Sequence, residues 1–142
     1  AEAVAFEKEL YIVKDYLALE QMRFEERLKI ELEIDEDTLM QPIPPMMLQT
    51  LVENAIKHGI SKHINGGLIR IISDFKKDNH ELLVQNSGKL NGNLQNADGF
   101  GIKSTQDRLN LLYQGKAYFE IYDNLESNMV ECRIVMPVAT IL

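Results

Sequence analysis

The sequence predicts an α+β fold: a two-layer sandwich with helices on one face of a mixed, mostly antiparallel sheet. Three observations predict it. Three stretches space their apolar residues as helices do, and five others carry strand patterning. The order is helix, strand, helix, two strands, loop, helix, two strands, which lacks the regular alternation of a doubly wound parallel sheet. With 142 residues, 45% of them hydrophobic and 26% charged, the chain fits one domain, residues 1–142, with room for a core.

Phe6, Leu10, Val13, Leu17, Phe24 and Leu28 recur at steps of three, four or seven, so residues 1–26 read as a long amphipathic helix. "LKIELEID" then alternates strictly, with Leu28, Ile30, Leu32 and Ile34 on one side of a half-buried strand. The prolines of "QPIPPMM" bar a helix until Pro45, which suits a first helical position, and Gly59 marks its end. "GGLIRIISDF" and "HELLVQNSG" read as strands joined by the turn "KKDN". The segment 88–101, "GKLNGNLQNADGFG", has no apolar period and reads as a long flexible loop, a class usually functional or disordered. "IKSTQDRLNLLYQG" resumes a helix, with Ile102, Leu109 and Leu112 on one side and Gly115 as its stop. "AYFEIYD" and "MVECRIVMP" close the chain as strands, Cys132 alternating with Val130 and Ile134 as a small core residue.

A formal net charge of -7 repels polyanions on average, so nucleic acid is not an expected partner. The single cysteine cannot form an internal disulfide, and no apolar run is long enough to span a bilayer, which predicts a reducing, cytoplasmic setting. The opening "AEAVAFEKEL" lacks an initiator Met and is already helical in pattern, as expected of a piece of a longer protein.

The stretch "LQTLVENAIKHGI" mixes two chemistries. At 100° per residue, Leu48, Leu51, Val52, Ala55 and Ile56 fall within an arc of roughly 140°, while Glu53, Asn54, Lys57 and His58 share the opposite arc. A carboxamide oxygen suits Mg²⁺, an ammonium and an imidazole suit phosphate, and a carboxylate can orient or deprotonate a nucleophile. The plainer alternative is a solvated face on which Glu53 and Lys57 form an i,i+4 ion pair.

"LVENAIKHG", followed some forty residues later by "DGFGIKSTQDRLNLLYQG", closely resembles the N box and second glycine box of the GHKL (Bergerat-fold) ATPases. With "YLALEQMRF" and "LKIELEID" standing ahead of "IPPMMLQTLVENAIKHGI", the order is similar to the LytS/YehU-like branch of sensor histidine kinases. That resemblance implies a Bergerat-fold catalytic domain that binds ATP with Mg²⁺. Asn54 would coordinate the metal, Lys57 and His58 would lie near the phosphates, and Glu53 would polarise the nucleophile or hold water. Gly99 and Gly101 would admit the phosphates to backbone amides, with Ile102, Lys103 and Ser104 continuing that box, and residues 88–101 would form the ATP lid.

The γ-phosphoryl group would pass to a histidine in an upstream phosphoacceptor and dimerisation segment, then to a response regulator receiver domain. The parent would be a homodimeric, membrane-anchored sensor with this domain in the cytoplasm. The phosphoacceptor motif of the family, Pro-His-Phe, is absent from these residues, so the chain alone should not phosphorylate itself.

The resemblance breaks at the first glycine box. Where relatives read Asp-x-Gly-x-Gly, this chain has "NSGKL": Asn86 replaces the adenine-binding Asp, Gly88 is kept and Leu90 replaces the second glycine. A neutral acceptor weakens such a bond on the order of 1 kcal/mol. A second reading follows: a degenerate domain with little ATP affinity, serving as an interaction module. His63 and His80 are expected to be surface residues, Met46 and Met47 gap-fillers, and Arg108 either a phosphate or lid contact or a helix-surface salt bridge.

Overall fold

The computed structural model describes residues 3–90 and 99–138, with the backbone alone for 99–101. The chain runs β1 (Val4–Ala5), α1 (Phe6–Phe24), β2 (Leu28–Ile34), β3 (Pro42–Ile43), α2 (Met47–Asn54), β4 (Gly67–Lys76), β5 (Asn79–Ser87), α3 (Gly99–Tyr113), β6 (Tyr118–Asn124) and β7 (Met129–Pro137). Five strands form one sheet in the order β2-β4-β5-β7-β6, and β1 pairs with β3 apart from it. β2 and β4 are parallel, with α2 in the crossover between them. The other pairings are antiparallel, so the predicted mixed sandwich is the observed one.

α1 forms because Phe6, Leu10, Val13, Leu17 and Phe24 bury one stripe on the sheet. Each such side chain contributes about 2 kcal/mol of apolar burial as an upper estimate. The helix stops where Glu25 turns to a positive φ of 58°. The core behind it includes Leu48, Ile60, Ile69, Ile71, Leu82, Leu109, Ile134 and Met136.

β2 departs from expectation: its alternation is real, but Leu32 is 37% exposed, because an edge strand has a neighbour on one side only. His80 also departs. Rather than lying on the surface it is buried, since β5 pairs His80 with Phe75 and Met136 and points its ring at Phe6, 5.5 Å away between centroids.

The second helix starts at Met47 rather than Pro45, because Met46 adopts a left-handed conformation at φ 69°. Met47 is buried as expected, but Met46 is exposed. Beyond Asn54 the α-helix does not simply end. It widens into one π turn over Ala55–Gly59, in which the Ile60 amide donates to the Ala55 and Ile56 carbonyls, then tightens into a 3-10 turn over Ile60–Lys62. π turns are rare and frequently lie at functional sites.

Candidate functional site

α2 and its π turn lie over the half of the sheet where β5 and β7 present Val84, Asn86, Val130 and Cys132. A cleft opens there. Its apolar walls are Leu51, Ala55, Val84, Ile121, Val130 and Cys132, with Leu90 and Ile102 at its margin. Its polar groups are Asn54, His58, Lys62, Asn86 and Lys89. The pleat explains the mixture: alternate residues of β5 and β7 face the cleft, while Gln85 and Glu131 face the other way.

Asn54 is half-buried, and its Nδ2 is enclosed without a hydrogen-bond partner among the described residues. Such an orphan is costly unless something else completes it. Asn86, 8% exposed, donates from Nδ2 to the Ser87 carbonyl at 2.9 Å. That bond fixes the carboxamide's orientation and leaves Oδ1 as an acceptor.

The space for Asn86 exists because residue 59 has no side chain: a Cβ on Gly59 would stand 2.3 Å from Asn86 Nδ2. Sequence reasoning read Gly59 only as a helix end. The missed signal was a glycine one step after His58 on the N-box helix, where close approach explains it better than termination, since its φ of -99° is open to any residue.

The four-residue polar face is divided by the structure. Asn54 and His58 line the cleft, whereas Glu53 and Lys57 are exposed and do not. Glu53 accepts a hydrogen bond from Gln49 Nε2 at 3.1 Å, in place of the ion pair with Lys57. Its charge acts on Tyr16 of α1, whose hydroxyl is pushed up to about 12 by burial first and then by Glu20 and Glu53. The α1 side of α2, rather than the cleft, is where this carboxylate sits.

Gly88 has a positive φ of 116°, a conformation that favours glycine, and His63 closes over it at 3.1 Å from where a Cβ would be. The following residues are pinned to the β6–β7 hairpin: Leu90 N donates to Asp123 at 2.8 Å and Lys89 Nζ to Asn128 at 2.9 Å. Residues 91–98 of the expected lid lie outside the described residues. α3 begins at Gly99 rather than at Ile102, so Gly99 and Gly101 supply backbone to its first turn.

Ile102 reaches the cleft and Lys103 is exposed outside it. Ser104 lies in a neighbouring pocket with Thr50, Thr105 and Arg108. Arg108 donates to the Pro45 carbonyl at 2.6 Å, tying α3 to the turn ahead of α2. Cys132 is buried at the cleft floor, and burial pushes its thiol up, away from the reactive thiolate.

The donor set fits a magnesium nucleotide: one hard carboxamide oxygen on Asn54, an oriented acceptor on Asn86, and apolar walls between them. Among the described residues there is no helix long and apolar enough to cross a membrane and no cluster of three His, Cys, Asp or Glu ligands.

No protein-family model matches the chain. It is 32% identical over 109 residues to the sensor histidine kinase BtsS of Escherichia coli (strain K12), covering 77% of this chain and 19% of that protein. It is 29% identical over 143 residues to the sensor protein LytS of Staphylococcus saprophyticus, covering 92% of this chain and 24% of that one. The chain thus spans a quarter or less of the length of these two relatives.

Its fold is similar to the nucleotide-free catalytic domain of the histidine kinase ThkA, with a TM-score of 0.69 at 16% identity over 97% of both chains. It is also similar to ThkA in complex with the response regulator protein TrrA, with a TM-score of 0.66 at 14% identity, over 96% of this chain and 41% of that one.

Proposed function

This chain is a GHKL-type catalytic domain belonging to the LytS-like sensor histidine kinases, and on that premise we propose that its cleft holds ATP with Mg²⁺ for phosphoryl transfer to a histidine outside these residues. The observation that carries the reading is the meeting of Asn54, His58 and Asn86 in one apolar-walled cleft.

Asn86 Oδ1 accepts a hydrogen bond from the exocyclic amine of adenine, and Val84, Ile121, Val130 and Cys132 lie against the ring. Asn54 offers Oδ1 to the metal while its enclosed Nδ2 awaits a partner. Bound Mg²⁺ supplies charge neutralisation on the phosphates. His58 and Lys62 stand at the cleft to receive phosphate oxygens, with Lys57 adding positive charge nearby.

The first-turn amides of α3 at Gly99 and Gly101 complete the anion site. Gly88 starts the lid that would exclude water, Ser104 serves the phosphate end, and Lys103 contributes charge from outside the cleft. Glu53 acts as a positioning residue, bracing α2 beside Tyr16 rather than polarising the nucleophile.

The protein's part is positioning and electrostatics: the bond from γ-phosphorus to the bridging oxygen breaks, a bond to an imidazole nitrogen forms, and ADP leaves. The phosphohistidine would pass its group to a response regulator receiver domain, as expected of a homodimeric membrane-anchored sensor with this domain in the cytoplasm.

Leu90 favours a second reading, because it brings a side chain to the cleft margin where a glycine would leave room. Calorimetric titration with Mg·ATP separates the two. Micromolar to sub-millimolar binding that needs Mg²⁺ and weakens at least tenfold in Asn54→Ala supports the kinase reading. No binding at millimolar nucleotide makes this an interaction module.

A further inference from the structure

The face of α1 turned away from the core is not a solvated polar face. Tyr11 is 69% exposed, Leu19 66% and Met22 77%, with Ile12 at 46%, so large apolar groups line the outer side of a helix whose inner side already fills the core. Contiguous exposed apolar surface of this kind marks interaction sites.

The charges flanking it narrow the occupant. At 100° per residue the stripe centres on Tyr11, with Glu7 and Lys14 along one margin and Lys8 and Asp15 along the other. Within each margin the opposite charges stand seven residues apart, about 10 Å along the axis and too far to pair on one helix. For all four, the neighbours three and four residues away are uncharged, so the helix itself offers no ionic partner. Among the described residues none of the four joins an ion pair.

A two-fold axis through Tyr11 brings an antiparallel copy of the same helix into place, and like margins then face each other. Glu7 meets the second copy's Lys14, and Lys8 meets its Asp15, each twice by symmetry. A parallel copy in register would set like charges side by side.

We infer that the outer face of α1 is a self-docking surface on which a second copy of this chain packs its own α1 antiparallel about Tyr11. One helix pair buries less than about 1,200 Å² in total, which fits a weak, concentration-dependent contact. The contact is independent of nucleotide and of the cleft.

Sedimentation velocity on the chain from about 10 µM to 1 mM tests it, a range that brackets weak association. Wild type should pass from monomer to dimer within that range. Two doubly reversed variants, Glu7→Lys with Asp15→Lys and Lys8→Glu with Lys14→Glu, should each stay monomeric while keeping wild-type circular dichroism. Their equimolar mixture should dimerise again, because an all-positive helix then faces an all-negative one. A wild type that stays monomeric at 1 mM overturns the inference, as do reversed variants that dimerise like wild type, or a mixture that stays monomeric.

Discussion

At the scale of single residues, the site depends on what is absent at position 59. Gly59→Ala would force the Asn86 carboxamide off the Ser87 carbonyl, since the added methyl would overlap Nδ2. Overpacking of this kind costs about 1–3 kcal/mol. The expected result is a lower urea midpoint together with a nucleotide affinity reduced at least fivefold, read by denaturation and calorimetry on the same sample. His80 carries a second residue-scale prediction. Its Nε2 lies 2.7 Å from Ser73 Oγ, which in turn meets Thr38 Oγ1 at 2.7 Å, while Nδ1 has no partner. Burial lowers the imidazole from 6.5 to about 4, so the folded state keeps it neutral where the unfolded chain binds a proton. Its contribution is complete above pH 6.5 and is lost as pH falls toward 4, by roughly 3 kcal/mol over the window. Urea unfolding at pH 7 and pH 4 should show that loss in wild type and a smaller one in His80→Gln, which cannot charge.

At the scale of elements, the entry turn of α2 is strained and braced at once. Met46 sits at φ 69° with its side chain exposed, and Arg108 holds the preceding carbonyl of Pro45. Replacing Met46 with glycine should relieve about 1 kcal/mol and raise Tm by roughly 3 °C in a thermal melt. Arg108→Ala should speed amide exchange in the first turn of α2 and the middle of α3 with little change in global stability, because one exposed bond is removed. Most element types were legible in the sequence, since apolar spacing at 3.6 and 2 residues follows from which side chains must leave water. Asn54 and His58 were legible for the same reason. Three features were not. The start of α2 depends on a left-handed Met46 that no periodicity encodes, the π turn looks like plain helix in sequence, and the burial of His80 is set by Phe6 and Met136 from distant segments. Nor could spacing divide the polar face, because the flank of α2 beside the cleft is defined by β5 and β7.

At the scale of the whole molecule, the sheet keeps its two chemistries apart. On the face away from the cleft, Glu131 is buried and receives Gln85 Nε2 at 2.6 Å, Asn124 Nδ2 at 3.2 Å and the Tyr122 hydroxyl, while Arg133 bridges Glu81 and Glu120. Glu131→Ala strands three donors and should cost about 3 kcal/mol or more, measured by urea unfolding. The folded fraction should bind nucleotide as wild type does, because Asn86 and Cys132 look the other way. A different constraint follows from the π turn at Ala55–Gly59, and it concerns heredity rather than chemistry. One extra residue is what widens an α-helix at this point. A deletion of a single codon there would restore the regular winding and rotate everything downstream by about 100°, swinging the buried Ile60 away from the interior. In the descent of this chain the segment can therefore exchange residues freely, but it cannot change its length.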